Sequence, residues 1–191
     1  MTADLPDPLP EMGDLTGLLL RTILFAAQKH RTQRRKDIQA SAYINHPIQV
    51  AELLLRLGGI RNPDVIQAAV LHDTLEDTDA SMEELTREFG QVIAGIVLEV
   101  TDDKSKPKPI RKQLQVEHAP FLSTEAKLVK LADKLCNIRD VVEDPPADWP
   151  ITRRKEYLDW GKAVVDGLRG VHPGLEQAFD EIYQAGKRQL S

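Results

Sequence analysis

The chain has 191 residues, 41% hydrophobic and 29% charged, with 25 basic against 30 acidic side chains and a net charge of −5. That length suits one domain with its own core, and the acidic balance argues against broad nucleic-acid binding. The single Cys136 excludes an internal disulfide, and no run of about 18 apolar residues exists to span a membrane, so a reducing, cytoplasmic setting is expected.

Residues 1–13 carry Asp4, Asp7 and several prolines with no basic residue, which predicts a flexible leader rather than a targeting peptide. From residue 14 to 191 helical periodicity dominates. Leu15, Leu18, Leu19, Ile23, Ala26 and Ala27 form a stripe at helical spacing. Pro47 suits the first position of a second helix that turns Ile48, Ala51, Leu54 and Leu55 inward and ends at Gly58 and Gly59. Pro63 opens a third helix capped by Asn62. Ser81 and Glu84 read as a capping box for a short helix closed by Gly90, after which Val92, Ile93, Ile96, Val97 and Val100 continue the core. Residues 101–120, with Pro107, Pro109 and Pro120, read as a long loop with a helical middle over 111–117. A helix over 124–142 follows, then a break at Pro145, Pro146 and Pro150, then helices over 152–168 and 173–187. No alternating strand stands out, so the expected class is all-α, a compact single-domain helical bundle. Nothing in the pattern specifies an oligomeric state.

The chemistry concentrates in residues 72–77. His72, Asp73, Glu76 and Asp77 close the apolar run of Val65, Ile66, Ala68, Ala69, Val70 and Leu71. If the helix continued, His72 with Glu76 and Asp73 with Asp77 would be i,i+4 pairs, two polar ridges side by side. Such groups beside a buried run are hard to satisfy without a cation. Adjacent helical positions point about 100° apart, so His72 and Asp73 share one ion only where the helix ends or the ion sits between ridges. His46 precedes Pro47, where a lone histidine is more often a cap or surface residue. Asp133 borders an apolar stripe, where a surface salt bridge is the plainer reading. Together His46, His72, Asp73 and Asp133 make a two-histidine, two-carboxylate set that suits Mn, Fe, Co or Zn. Cys136 lies on an apolar stripe and reads as core rather than nucleophile. Cations gather at Arg31, Arg34, Arg35 and Lys36, at Lys104, Lys106, Lys108, Arg111 and Lys112, and at Lys127, Lys130 and Lys134. On an acidic protein such patches suit a small anionic substrate, although a solvated helix face is the plainer reading of any single lysine. No HExxH pair, P-loop or dinucleotide-binding glycine motif is present.

Five ordered segments carry a resemblance: residues 30–36 (HRTQRRK), 43–47 (YINHP), 69–78 (AVLHDTLEDT), 100–104 (VTDDK), and 127–135 (KLVKLADKL) ending in Asn137. From about residue 14 to 185 the chain resembles the HD-domain hydrolases and, within them, the small alarmone hydrolases, or metazoan SpoT homologues. The resemblance implies an HD hydrolase domain over 14–191. It implies Mn2+ held by His46, His72, Asp73 and Asp133, and Glu76 and Asp77 as catalytic carboxylates. It implies a nucleotide pocket lined by Arg35, Lys36, Asn137, Arg153 and Tyr157. The implied substrate is a guanosine nucleotide, (p)ppGpp, cut at the ribose 3′ position by a metal-bound water to give GDP or GTP plus pyrophosphate. A second reading keeps the same metal site and takes a 2′- or 3′-phosphorylated dinucleotide; a third is a non-catalytic nucleotide sensor. The chain departs from the family at residues 37–42, where a Gly and a Pro are usual, and at Cys136, where a Tyr is common. Longer relatives carry a synthetase domain, and the chain's extent implies a hydrolase-only role.

Overall fold

The computed structural model describes residues 15–191; the leader expected over 1–13 lies outside them. The helices run in order α1 (Leu15–Lys29), α2 (Asn45–Arg56), α3 (Pro63–Leu71), α4 (Thr74–Asp77), α5 (Met82–Phe89), α6 (Gln91–Val100), α7 (Lys108–His118), a 3-10 turn (Ala119–Phe121), α8 (Thr124–Glu143), α9 (Ile151–Asp166) and α10 (Pro173–Gln189). Among the described residues the one β feature is an isolated bridge between Arg34 and Ala42. The fold is all-α, and none of these helices is long and apolar enough to cross a membrane.

α8 is the axis of the bundle. Leu131, Ala132, Cys136 and Ile138 are fully buried along it, and α2, α3, α6, α9 and α10 pack around it. α3 is buried from Val65 to Leu71, lying against α1, α2, α6 and α8. Helix starts follow side-chain chemistry. Asn62 accepts from the Asp64 N–H at 3.0 Å, Ser81 from Glu84 at 3.1 Å and Ser123 from Ala126 at 3.2 Å. The expected reciprocal half of the Ser81 box is replaced: the Glu84 carboxylate pairs with Lys29 at 2.8 Å.

Several local expectations are corrected. α2 starts at Asn45, so Pro47 is its third residue; the first turn needs no amide partner, so proline is compatible there. Its inward stripe is His46, Pro47, Val50, Ala51, Leu53 and Leu54, and Ile48 faces out. That register places His46 in line with Val50 and Leu53 and therefore inside. Val92 is 63% exposed because it begins α6 on the outer side. The loop expected over 101–120 shortens to 101–107: Pro107 is the N-cap of α7 and Pro109 lies in its first turn. α7 has no buried residue and leans on α9, so hydrophobic periodicity gives it little signal. The departure at 37–42 is a closed turn. Asp37 accepts from the Ser41 N–H at 3.0 Å and also from the Ser41 hydroxyl, and Ala40 takes φ +48°, a left-handed value that favours glycine.

Two glycines test packing against helix propensity. A Cβ on Gly186 of α10 would meet Val142 Cγ2 at 2.6 Å and Leu158 Cδ1 at 2.9 Å, whereas one on Gly95 of α6 meets nothing within 4 Å. Gly95→Ala is expected to stabilise by about 0.5–1 kcal/mol. Gly186→Ala is expected to destabilise by about 1–3 kcal/mol, because overpacking exceeds the propensity gain. Urea unfolding of both variants checks the opposite signs.

Candidate active site and metal centre

α3 stops at Leu71 because side chains satisfy its last turn. The Thr74 hydroxyl donates to the Leu71 carbonyl at 2.7 Å and His72 Nδ1 donates to Ala69 O at 2.7 Å. Asp73 then takes φ −99°, ψ −1°, and α4 restarts at Thr74. The continuous-helix ridges do not form. The break instead lets adjacent His72 and Asp73 converge: His72 Nε2 lies 3.0 Å from Asp73 Oδ2.

α2 and α8 bring the other two groups. His46 Nε2 lies 3.1 Å from Asp133 Oδ1 and 4.0 Å from Asp73 Oδ2, while His72 Nε2 lies 3.6 Å from Asp133 Oδ1. Donor atoms of His46, His72 and Asp133 all fall within 4.8 Å of one another. Ligands about 2.1 Å from one ion stand roughly 3 Å apart when adjacent and 4.2 Å when opposite, so the trio matches a single first-row ion. Asp73 joins from the edge, its Oδ2 accepting the Tyr43 hydroxyl at 2.6 Å. His72 supplies the fit test. Its Nδ1 is committed to a carbonyl, and its Nε2 is buried, aimed at two carboxylates and without a hydrogen-bond partner. That is the arrangement of an imidazole whose outer nitrogen fixes the tautomer and whose inner nitrogen is free to ligate.

The electrostatics agree. Burial opposes a charge on His72, but the Asp73 and Asp133 carboxylates outweigh it and push the imidazole up to about 10. Against the same cost of burial, His72 holds the Asp73 carboxyl below the usual range, and Lys134, with both histidines, holds Asp133 below it. Lys134 Nζ sits 3.0 Å from Asp133 Oδ2, and Asn137 donates to Asp133 Oδ1 at 2.5 Å.

Glu76 and Asp77 project from α4 into the same recess of about 160 Å³. Glu76 accepts from the Asp102 backbone N–H at 3.1 Å and from Arg111 at 3.2 Å. Burial, and next the Asp102 carboxylate, raise its pKa. Asp77 accepts from Gln33 Nε2 at 2.9 Å and pairs with Lys104. The recess shares Tyr43, Asp77 and Asn137 with a neighbouring cleft of about 440 Å³, a size suited to a small organic ligand. Arg35, Lys36, Trp149 and Tyr157 line that cleft. Arg35 is paired with Asp140, and burial pushes the Tyr157 hydroxyl up to about 12. Arg153 stands outside the lining residues, its guanidinium 4.2 Å from the centre of the Trp149 ring. Burial pushes the Cys136 thiol up to about 12, consistent with a core residue.

Sequence reasoning gave Tyr43, Gln33, Asp102 and Gln115 no role at this site, and Arg111 and Lys134 only a place in cation patches. Lys130 and Lys134 are buried rather than on a solvated face; their place in an otherwise apolar run of α8 was the available signal. Lys130 donates to the Val100 carbonyl at 2.8 Å.

A family described as HD domain matches residues 23–157. Guanosine-3′,5′-bis(diphosphate) 3′-pyrophosphohydrolase of Danio rerio is 52% identical over 168 residues, which span 88% of this chain and 93% of the relative. The Homo sapiens protein of the same description is 50% identical over 173 residues, 91% of this chain and 97% of its own. A solved structure of a metazoan orthologue of SpoT, described as hydrolysing ppGpp with a role in starvation responses, matches with a TM-score of 0.87 and 44% identity, covering 98% of this chain and 100% of its own.

The histidine gives a pH-dependent expectation. In metal-free protein the His72–carboxylate contribution to stability is full below its unfolded value of 6.5 and is lost as pH rises through about 10. Near neutral pH, ligation through His72 would displace that proton, so binding of a divalent ion there should release about one proton per chain. Calorimetry in buffers of different ionisation enthalpy reads this directly. Binding heats that do not vary with buffer would remove His72 from the ligand set.

Proposed function

The chain belongs to the HD-domain family, among its guanosine-3′,5′-bis(diphosphate) 3′-pyrophosphohydrolases, and from that premise we propose that it cleaves (p)ppGpp at the ribose 3′ position to GDP or GTP plus pyrophosphate. The observation that carries the reading is one recess where His46, His72, Asp73 and Asp133 meet two further carboxylates, Glu76 and Asp77, beside a cation-lined cleft. The catalytic unit is the domain over 14–191, and the resident ion is Mn2+, which suits the mixed nitrogen and oxygen donors. When bound, that ion lowers the pKa of a water and offsets phosphoryl charge.

The chain's own groups do the rest. Water oxygen bonds to the phosphorus attached to O3′ as one water proton passes to a carboxylate; the P–O3′ bond breaks with its electrons left on O3′, and that proton is returned to O3′. Glu76 is the better proton carrier of the pair, because burial favours its neutral form and raises its pKa. Asp77, held from two sides by Gln33 and Lys104, orients the water. Arg35 and Lys36 neutralise phosphate oxygens, with the Arg35 fork suited to bidentate contact. Arg35 must exchange Asp140 for phosphate to do so. Asn137 reaches both recess and cleft, Tyr157 and Trp149 offer aromatic faces to the nucleoside, and Arg153 adds charge at the rim. A cytoplasmic location agrees with the buried free Cys136 thiol.

Product identification tests the reading. ppGpp should yield equimolar GDP and pyrophosphate with no orthophosphate as first product, and GDP and GTP should be poor substrates. Faster release of orthophosphate from a 2′-phosphorylated dinucleotide than of pyrophosphate from ppGpp would overturn the substrate while keeping the metal site. Glu76→Gln should keep metal and lose turnover by about 10²–10⁴-fold. Asp133→Ala should lose metal and turnover together.

A further inference from the structure

His30 is a buried titratable group with no part in the chemistry above. It follows the last residue of α1, is 2% exposed, and lies outside the set of proposed ligands. Its Nδ1 stands 2.7 Å from Gln33 Oε1, and Gln33 Nε2 donates to Asp77 Oδ2 at 2.9 Å. A carboxylate offers only acceptors, so the Gln33 amide must turn its NH2 to Asp77 and its oxygen to His30. An amide oxygen facing Nδ1 in turn requires that nitrogen to carry the proton. The two hydrogen bonds therefore fix each other: a reversed amide would set oxygen against carboxylate and N–H against N–H. The same imidazole packs on the Tyr43 ring, centroids 4.9 Å apart, and the Tyr43 hydroxyl donates to Asp73. One buried ring thus backs the partners of Asp77 and of Asp73. Its Nε2 has no hydrogen-bond partner. A ring serving only to fill space would be better apolar, since a buried unpaired polar atom is unfavourable.

We propose that His30 is a positioning residue for Asp77, acting through the Gln33 amide, whose direction it sets by presenting Nδ1–H. The inference rests on the reading of Asp77 as a catalytic group. His30→Phe keeps the ring and its packing on Tyr43 but removes the donor. His30→Asn places a side-chain nitrogen at the same number of bonds from Cα as Nδ1 and keeps it.

With ppGpp as substrate, His30→Phe should lower kcat about tenfold, the scale of one lost positioning contact. KM and Mn2+ content should hold within about twofold. His30→Asn should restore most of the loss. In a Gln33→Ala background, His30→Phe should change kcat less than about twofold, because the two residues act in series. The full tenfold loss persisting in that background, or a folded His30→Asn as impaired as His30→Phe, overturns the proposal. Measurements that leave His30 in place cover the case in which His30→Phe does not fold. Nitrogen-15 NMR should find the His30 proton on Nδ1, and Asp77→Asn should shift the Gln33 side-chain amide. A proton on Nε2 alone, or an unmoved amide, also overturns it. Asp77→Asn turning over at the wild-type rate removes the catalytic reading and this one together. An inactive Asp77→Asn with additive His30 and Gln33 losses removes only the role of His30.

Discussion

The structure depends on one electrostatic constraint: two carboxylates and two imidazoles are packed against one another where α2, α3 and α8 meet. His46 and His72 are 1% and 4% exposed, and Asp133 is buried with them. Carboxylates so close together repel and have lost most of their hydration, so the cluster is tolerable only with positive charge among them. In the metal-free chain that charge is a proton on His72 together with Lys134. A divalent ion would supply it more completely. The interruption between α3 and α4 follows from the same constraint, because a continuous helix would aim His72 and Asp73 at different walls.

A second layer keeps those groups aimed. Tyr43 holds Asp73, Asn137 and Lys134 hold Asp133, and the Ala69 carbonyl holds His72. Glu76 and Asp77 are each held by two partners, one by Asp102 and Arg111, the other by Gln33 and Lys104. Four-residue α4 could not position two carboxylates by its own rigidity. The segment after α1 and the segment from 102 to 111 act as its clamps, and α7 earns its place through Arg111 and Gln115 rather than through buried apolar area. Gln115 donates to the Asp102 carboxylate at 2.7 Å, which anchors the backbone that meets Glu76.

What was legible in the sequence divides along physical lines. Signals that act within a few residues read well: Asn62 and Ser81 as caps, Gly90 as a stop, Pro63 as a start, and the apolar periodicity of α3, α6 and α8. His72, Asp73, Glu76 and Asp77 were legible as a polar cluster closing a buried run, whereas His46 and Asp133 looked ordinary singly and entered through the resemblance; all six line one recess. Signals that depend on distant partners did not read. Ile48 and Val92 face out because the register of α2 and α6 is set by what packs on them, not by hydrophobicity at one position. Prolines at 107 and 109 read as breakers, yet the first turn of a helix accepts them. Lys130 and Lys134 read as surface charges because their partners, the Val100 carbonyl and Asp133, come from tertiary contact and from the orientation of α8. Gln33 gave no signal, since its value lies in a bond to a residue 44 positions away.

The cleft adds an argument about selectivity. One of its cations is already paired: Arg35 is held by Asp140, which lines the same cleft. A ligand that offers a single weak acceptor gains little by breaking such a pair, because the abandoned carboxylate loses as much as the ligand gains. A ligand with several charged oxygens can replace the carboxylate and also reach the metal recess that shares Tyr43, Asp77 and Asn137 with the cleft. The Arg35–Asp140 pair therefore disfavours ligands with one weak acceptor, while Arg34, Lys36 and Lys108 add further positive charge along the same cleft.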